Sequence, residues 1–306
     1  MNRKIVITGA TGFIGKKLFQ KFLKEGDRIS ILTTSIEKSK TVLLGADAYI
    51  SWDSSPEDIK NKLEGVEIFI HLAGENIMAK RWTKKHKIRL RKSRVERTKE
   101  LIEIISKLDH KPNVFVSSSA VGIYGNSEAE VDESSHVGTD YLATLVRDWE
   151  AEVKKVEMLD IRRVNIRIGI VLDKKEGALA KMIFPFKYFV GGPLGTGQQW
   201  MPWIHIDDLT EIFVFAAANN NVSGIINGVS PNPVRMEEFS RLLGKVLNRP
   251  AFFRVPSLIL KILLGEAAIV VLEGARVVPA KTVGLGYKFK YDKLENALEN
   301  ILLQNY

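Results

Sequence analysis

The chain has 306 residues, no cysteine and a formal net charge of +9 at pH 7. This length allows one large core or one core with a smaller lobe. The lack of cysteine excludes disulfides and thiolate metal sites. The N-terminus has no apolar signal segment, so we expect a cytoplasmic protein. The apolar stretch at 255–274 is interrupted by charges, which predicts a buried helix or helix pair and no membrane partner.

The first half of the chain alternates between apolar strand-like runs and helical patterns. Near-continuous apolar strands separated by helices are typical of a parallel sheet that is covered on both faces. We therefore predict an α/β protein with a Rossmann-type doubly wound parallel sheet in residues 1–165. Residues 166–306 are predicted to form a smaller C-terminal α/β lobe that holds the substrate. The predicted strands are 4–9, 28–34, 48–52, 67–73, 113–119 and 163–172.

A glycine-rich turn follows the first strand. The sequence "TGATGFIGKKL" puts glycines at every third position between a strand and a helix. A cofactor pyrophosphate needs such a turn because the backbone must approach it closely and the helix N-terminus must face it. We predict cofactor binding by Gly9, Thr11, Gly12, Phe13, Ile14 and Gly15.

The end of the second strand favours NADP(H) over NAD(H). An acid at this position would hold the free 2′-hydroxyl of NAD. The chain instead has Thr33 and Thr34 there, with Lys38 and Lys40 just beyond. Hydroxyls and nearby positive charge tolerate a 2′-phosphate, whereas a carboxylate would repel it.

Residues 80–99 hold eleven basic residues and one acid, Glu96. The net charge of this segment is therefore larger than the net charge of the whole chain. A charge run of this kind is usually a solvated helix face. Contact with an anionic cofactor through one or two of these residues is the alternative, and binding to an anionic surface is a third hypothesis. Nothing resembles a nucleic-acid-reading motif, so we do not expect nucleic acid as a partner.

Taken together, these motifs resemble the extended short-chain dehydrogenase/reductases, and within them the atypical sugar-nucleotide epimerase-like family. The resemblance runs nearly end to end and includes a family-specific C-terminal segment at about 250–298. The motifs that carry it are "TGATGFIG" (8–15), "HLAGENI" (71–77), "SR" (93–94), "DWEAE" (148–152), "GGPLGTGQQWMPWIHIDD" (191–208) and "LLGEAAIVVLEGARVVP" (263–279).

The resemblance implies an NADP(H)-binding Rossmann domain. Relatives commonly have an arginine where this chain has Thr34, which weakens the NADP inference, and the basic segment is expected to compensate. The broader family also suggests a homodimer formed through the helices after strands four and five. The residues implied in cofactor binding are Leu72, Ala73, Gly74, Arg89 and Arg94.

Typical members of the family combine a serine, a tyrosine and a lysine four residues after the tyrosine. Ser119 matches the serine. Tyr141 could be the tyrosine, yet Leu145 stands where the lysine belongs. Tyr124, in "SSSAVGIYG", is the second candidate acid and is expected to face the cleft. The helix at 139–152 is still expected to wall the cleft.

His205 and Asp207, in the segment at 191–208, are the pair predicted to lie at the cleft mouth, with a structural hydrogen bond as the alternative. None of the five histidines is spaced as a metal ligand, so no metal is expected. We therefore predict an NADP(H)-binding, epimerase-like oxidoreductase that acts on a small polar substrate. The alternative is a non-catalytic NADP(H)-binding sensor or scaffold protein.

Overall fold

The computed structural model describes residues 2–303. A π-helical turn at Lys92–Glu96 joins the helices at Lys84–Arg91 and Arg97–Ile105 into one continuous helix. The elements of the first half are, in chain order, β1 (Lys4–Thr8), α1 (Phe13–Lys24), β2 (Arg28–Thr33), α2 (Ile36–Val42), β3 (Ala48–Ser51), α3 (Pro56–Leu63), β4 (Ile68–His71), α4 (Lys84–Arg91), α5 (Arg97–Ile105), β5 (Val114–Ala120), β6 (Ser127–Val131) and α6 (Tyr141–Lys154).

The second half contains shorter strands and more helices. None of the helices in the described part of the chain is long and apolar enough to cross a membrane. The elements are β7 (Arg162–Ile168), β8 (Ile170–Leu172), α7 (Gly177–Lys187), β9 (Trp200–Met201), β10 (Trp203–His205), α8 (Ile206–Ala218), β11 (Gly224–Gly228), β12 (Val234–Arg235), α9 (Met236–Leu247), α10 (Ser257–Leu264), α11 (Ile269–Leu272), β13 (Ala275–Val277), α12 (Ala280–Gly284) and α13 (Leu294–Leu303).

Seven strands form one sheet in the order β11-β7-β5-β4-β1-β2-β3, and all neighbouring pairs are parallel. Side chains alternate between two cores, because successive residues of a strand point to opposite faces. In β1, Ile5 and Ile7 pack with α1 and α8, whereas Val6 packs with α3, α5 and α6. Burial on both faces explains the near-continuous apolar strands. The predicted Rossmann-type, doubly wound sheet is confirmed.

The strand order reverses between β1 and β4. Thr8 at the end of β1 lies opposite His71 at the end of β4. In open α/β sheets, ligands bind outside the carboxyl ends of the strands at such a switch point. The fold therefore brings the glycine turn after β1 and the loop after β4 to the same crevice.

Three small sheets build the region over these strand ends, namely β8 with β10, β9 with β12, and β6 with β13. The predicted division between residues 165 and 166 falls inside β7. In addition, β11 from the second half joins the main sheet, and β6 from the first half pairs outside it. Both halves therefore contribute strands to the main sheet. The division into two units stays a prediction.

The stretch at 255–274 contains two helices, as predicted, but they are not buried. Leu258 and Ile262 of α10 are 68% and 62% exposed, whereas Leu260 is 8% exposed. The prediction of burial was wrong because α10 lies on the surface with only one face packed inward. The sequence patterns at 251–264 and 292–304 also predict helices. The first helix begins only at Ser257, since the residue before Pro256 is disfavoured in the helical region. The second begins at Leu294, and its last predicted residue, Gln304, lies outside the described residues.

Candidate functional site

The glycine turn has the geometry that a phosphate cradle requires. Gly9 has a φ of +70°, and a Cβ there would lie 2.8 Å from the backbone carbon of Leu72. A Cβ on Gly15 would lie 2.4 Å from the carbonyl oxygen of Gly9. Gly12 is the N-cap of α1, and neither a capping side chain nor an acid occupies the first turn. The turn and the helix N-terminus are thus shaped to hold an anionic group.

A cleft of about 590 Å³ opens beside the turn. It brings together residues that the sequence predicted from separate motifs, namely Gly9, Thr11, Thr33, Thr34, Ala73, Gly74 and Arg89. Lys92 and Arg97 also line this cleft, although the sequence did not single them out. Lys38 and Lys40 do not line it. The basic run at 80–99 was the available signal, but only the path of the helix decides which of its cations face the crevice.

The cleft carries cations and hydroxyls at the end of β2. Arg89 is paired with Glu75 at 2.6 Å, and the guanidinium of Arg97 lies 5.4 Å from the centre of the Trp52 ring. The hydroxyl oxygen of Thr33 accepts a hydrogen bond from the backbone N–H of Ser35 at 3.2 Å. Positive side chains without an acid at the strand end suit a 2′-phosphate.

Arg94 occupies the junction between this cleft and a second cavity. It belongs to the π-helical turn, and its Nη2 donates a 2.9 Å hydrogen bond to the carbonyl oxygen of Glu75. Its guanidinium lies 5.5 Å from the centre of the Trp149 ring. Burial lowers the pKa of Arg94 to about 10. Arg94 therefore does not line the cleft that contains Arg89 and Thr34. It lines the second cavity close to Gly74, and Gly74 lines both spaces.

The second cavity, of about 370 Å³, lies beyond Gly74. One wall is α6, through Leu142, Leu145, Val146 and Trp149. The sequence led us to expect this helix at the cofactor cleft, but no residue of α6 lines the cleft beside the glycine turn. Leu145, at the position of the usual lysine, is 3% exposed and lines the cavity. The opposite wall comes from the second half of the chain, through Trp200, Pro202, Ile269 and Val270.

Ser119 lies on the wall of the second cavity, at the end of a buried hydrogen-bond network. Its hydroxyl donates a 2.5 Å bond to Oε1 of Glu150. Arg167 donates to the same carboxylate from Nε at 2.9 Å and from Nη2 at 2.8 Å. Burial alone would lower the pKa of Arg167, but its bonds to Glu150 raise it above the usual value. Glu150 belongs to the "DWEAE" motif, which the sequence predicts to pack and anchor the helix, and Arg167 was not singled out.

Tyr124 belongs to the same network but lies behind the cavity. Its hydroxyl accepts a 3.0 Å bond from Arg167 and donates a 2.8 Å bond to Oδ1 of Asn227. Burial raises the pKa of Tyr124. The expectation that Tyr124 faces the cleft was wrong, because the 3-10 turn at Val121–Tyr124 directs the ring toward β7 and β11.

Tyr141 also lies outside the cavity. Its hydroxyl donates a 3.3 Å bond to the carbonyl oxygen of Lys87, and its ring packs against Trp82 at 5.2 Å between ring centres. Burial raises the pKa of Tyr141. Since it is the first residue of α6, its side chain points at α4 and not at Ser119. Its assignment as an acid stays a prediction that this position does not favour.

His205 and Asp207 lie at a different cleft, between α1, α8 and α13. His205 accepts a 3.0 Å bond at Nδ1 from the backbone N–H of Asp207 and contacts Oδ1 of Asn300 at 3.1 Å through Nε2. His205 thus caps α8, which is the structural alternative that the sequence left open. Within residues 2–303, no group of three or more side chains could hold a metal ion.

A buried chain of hydrogen bonds ties the crevice to α6. The hydroxyl oxygen of Thr8 accepts bonds from two backbone N–H groups and lies 2.8 Å from Nδ1 of His71, so it donates its own proton to that nitrogen. Nε2 of His71 then donates to Thr98 at 2.9 Å, and Trp149 donates to the same hydroxyl at 3.1 Å. Burial lowers the pKa of His71 to about 4. His71 is therefore a neutral structural link, although the sequence showed only a strand residue.

Comparison with known proteins gives matches over almost the whole chain. The profile of the NAD dependent epimerase/dehydratase family matches residues 5–150, and that of a domain of unknown function (DUF1731) matches residues 255–301. The epimerase family protein SDR39U1 homolog, chloroplastic, of Arabidopsis thaliana is 43% identical over 301 residues, which cover 97% of this chain and 86% of that protein. Epimerase family protein YfhF of Bacillus subtilis is 35% identical and covers 97% of each chain.

A solved structure agrees with these matches. The crystal structure of human epimerase family protein SDR39U1 (isoform 2) with NADPH has 32% sequence identity to this chain and a TM-score of 0.88. The match covers 99% of this chain and 100% of the human one. The resemblance predicted from the sequence motifs is therefore confirmed.

Proposed function

Since the chain belongs to the NAD dependent epimerase/dehydratase family, we propose that it is an NADPH-dependent oxidoreductase of the epimerase-like branch. The observation that carries this proposal is the glycine turn joined to a cationic cleft that has no acid at the end of β2. The human relative with the same fold was crystallised with NADPH. Both observations support NADP(H), and neither depends on a tyrosine–lysine pair.

The residues present fit this cofactor. The turn from Gly9 to Gly15 would hold the pyrophosphate, and Thr34 with Arg97 would face the 2′-phosphate. The passage past Gly74 would lead the nicotinamide end toward Ser119. When bound, NADPH would supply a hydride, with its two electrons, from C4 of the nicotinamide, and NADP⁺ would accept one there.

Ser119 would contact the substrate oxygen, and Glu150 would act through it. Because the Ser119 hydroxyl donates to Glu150, its oxygen is left to accept a proton from a substrate alcohol. In alcohol oxidation the C–H electron pair leaves as hydride to the cofactor, the alcohol proton moves to Ser119, and the Ser119 proton moves to the Glu150 carboxylate. Carbonyl reduction follows the same path in reverse. Arg167 holds the Glu150 carboxylate in place through two hydrogen bonds.

A second candidate function is NADPH binding without turnover. Leu145 in place of the lysine, together with two tyrosines directed away from the cavity, favours this reading. The two candidates differ in one observable, because only the oxidoreductase converts NADPH to NADP⁺ with a second substrate.

Titration of the protein with NADPH and with NADH tests the shared premise. We expect saturable binding, with NADPH preferred. Gly12 is exposed at the cleft, so Gly12→Trp fills the pyrophosphate position and weakens NADPH binding by about 100-fold or more. The control is Gly284→Trp, because Gly284 is exposed and no atom lies within 4 Å of the position of its Cβ. Absence of NADPH binding by the unaltered protein would reject both candidates.

A further inference from the structure

The second cavity offers a different chemistry from that of a sugar-nucleotide site. We propose that it takes a small substrate with an apolar body and one alcohol or ketone oxygen. This proposal rests on the proposed function, because the oxygen must reach Ser119 next to the cofactor. It replaces the small polar substrate that the sequence led us to expect.

The walls of the cavity are mostly hydrocarbon. Leu142, Leu145 and Val146 of α6 line the cavity together with Ile269 and Val270 of α11. Burying apolar surface against such walls is favourable, whereas each sugar hydroxyl placed there would lose its water partners. The replacement of a lysine by Leu145 extends this apolar wall to the place where the catalytic charge usually lies.

The charges on the cavity wall oppose a diphosphate. Among the described residues that line the cavity, Arg94 is the only lysine or arginine, and it already donates to the carbonyl oxygen of Glu75 at the cofactor side. The two other charged residues on the wall are the acids Asp140 and Glu273. A nucleoside diphosphate sugar carries two negative charges, which would meet these carboxylates without a dedicated cation.

Two arginines lie behind Trp200 and do not change this balance. Arg235 and Arg276 have their guanidinium groups 4.3 Å and 5.4 Å from the centre of the Trp200 ring. Neither lines the cavity, and each is paired with an acid, Glu128 at 2.7 Å and Glu130 at 3.3 Å. Trp200 lines the cavity, whereas both guanidinium groups are held by acids outside it.

The polar side chains on the cavity floor leave one anchor for a substrate oxygen. The Ser118 hydroxyl donates to a backbone carbonyl, that of His71, at 3.2 Å, so it has no side-chain partner that could exchange a proton. The Ser119 hydroxyl donates instead to the carboxylate of Glu150. Its oxygen can accept from a substrate alcohol, and its hydroxyl can donate to a ketone oxygen by turning from Glu150. A cavity of about 370 Å³ is small for a ligand site, since such sites span roughly 300–1,000 Å³. One polar anchor in a small apolar space fits a cyclic ketone or alcohol better than a polyhydroxylated sugar.

Two probes separate these substrate classes. The bicyclic ketone 2-decalone and UDP-glucose are each titrated into the NADPH-loaded protein by calorimetry, and NADPH consumption is then followed with each. We expect binding and NADPH-dependent reduction of 2-decalone, and neither with UDP-glucose. Binding of UDP-glucose without binding of 2-decalone would overturn the proposal. Failure to load NADPH would instead overturn the proposed function, so the two failures are distinguishable.

Substitutions in the same helical segment locate the binding surface. Ile269→Asp puts a charge on the cavity wall and is expected to weaken 2-decalone binding by about tenfold or more. Val270→Thr, which keeps the side-chain shape, is expected to weaken it by about two- to fivefold. The control is Ile262→Asp, since Ile262 is 62% exposed on α10 and does not line the cavity.

All three variants should bind NADPH within about twofold of the unaltered protein, because their side chains lie outside the cofactor cleft. Circular dichroism verifies that each is folded. An unchanged 2-decalone affinity in both Ile269→Asp and Val270→Thr would contradict the proposed binding surface.

Discussion

The cofactor cleft and the neighbouring cavity share Gly74 yet differ in almost every chemical respect. The cleft is formed by backbone turns and cations, and the cavity by leucine, isoleucine, valine and tryptophan side chains around one serine. The shape of the cleft depends on close backbone contacts at Gly9 and Gly15, where a side chain would collide with the main chain. The shape of the cavity depends on side chains, which can be exchanged without a change of backbone.

Helix α6 shows the same contrast between apolar and charged surroundings within one element. It keeps the position that a catalytic helix occupies, but its inward face is apolar from Leu142 to Trp149. The polar side chains lie behind this face, where Glu150 is paired with Arg167 and bonded to Ser119. In this chain the helix is therefore an apolar wall that also holds the carboxylate bonded to Ser119.

The largest expected effect comes from breaking the buried ion pair. Glu150→Gln leaves the Arg167 charge without its partner and should destabilise the fold by about 3–5 kcal/mol in urea unfolding. It should also lower kcat for 2-decalone reduction by about 100-fold. The control is Glu152→Gln, because an ion pair at the surface contributes only about 0–1 kcal/mol.

A double variant identifies the path by which Glu150 acts. Ser119→Ala alone should lower kcat about as much as Glu150→Gln, since both interrupt one relay. The combined Ser119→Ala/Glu150→Gln variant should then lose little more than either single variant. Fully additive losses would show that the two residues act separately, which contradicts the relay.

The next effect concerns the neutral histidine that links the crevice to α6. In the folded state His71 stays unprotonated down to a pKa of about 4, whereas the unfolded chain protonates it near the ordinary value of 6.5. The unfolded state thus binds more protons between these values, and stability falls as the pH drops from 6.5 to 4. The loss from this residue should reach about 3 kcal/mol.

Urea unfolding at several pH values measures this loss. In His71→Gln the component of the pH dependence between 6.5 and 4 should disappear. The exposed His136 provides the control, and His136→Gln should keep the full slope. An unchanged slope in His71→Gln would mean that another group causes the acid sensitivity.

A smaller effect is expected on cofactor choice. Thr34→Asp puts a carboxylate at the end of β2, where it repels a 2′-phosphate and accepts a bond from a 2′-hydroxyl. The ratio of NADPH to NADH affinity should fall by about 10- to 100-fold. Thr41→Asp is the matched control, because Thr41 is exposed on α2 and does not line the cleft. An unchanged affinity ratio in Thr34→Asp would show that the 2′-phosphate does not bind at this end of the cleft.

The smallest effect is expected at the tyrosine that the sequence offered as an acid. Tyr141→Phe removes only a 3.3 Å bond to the carbonyl oxygen of Lys87, so the stability should fall by about 1 kcal/mol or less. The kcat for 2-decalone reduction should remain within about twofold, because the hydroxyl does not reach the cavity. A large loss of kcat would restore Tyr141 as the acid and would require α6 to move.

The sequence by itself determined the fold class, the family and the cofactor turn. These are local properties, because a glycine triplet between a strand and a helix and apolar strands separated by helices are each read from neighbouring residues. Thr33, Thr34 and the segment 72–74 could be placed at one crevice for the same reason, since parallel strands end at one edge of a sheet.

Only the tertiary structure decided which polar groups meet. Ser119, Glu150 and Arg167 come from a strand, a helix and a further strand, and no spacing in the chain predicts their distances. The π-helical turn aims Arg94 inward, while Tyr124 and Tyr141 turn away from the cavity. Leu145 lines the cavity because of how α6 packs, which its residue type alone does not predict. The directions of these side chains depend on packing between elements that are distant in the chain. Neighbouring residues in the sequence therefore do not predict them.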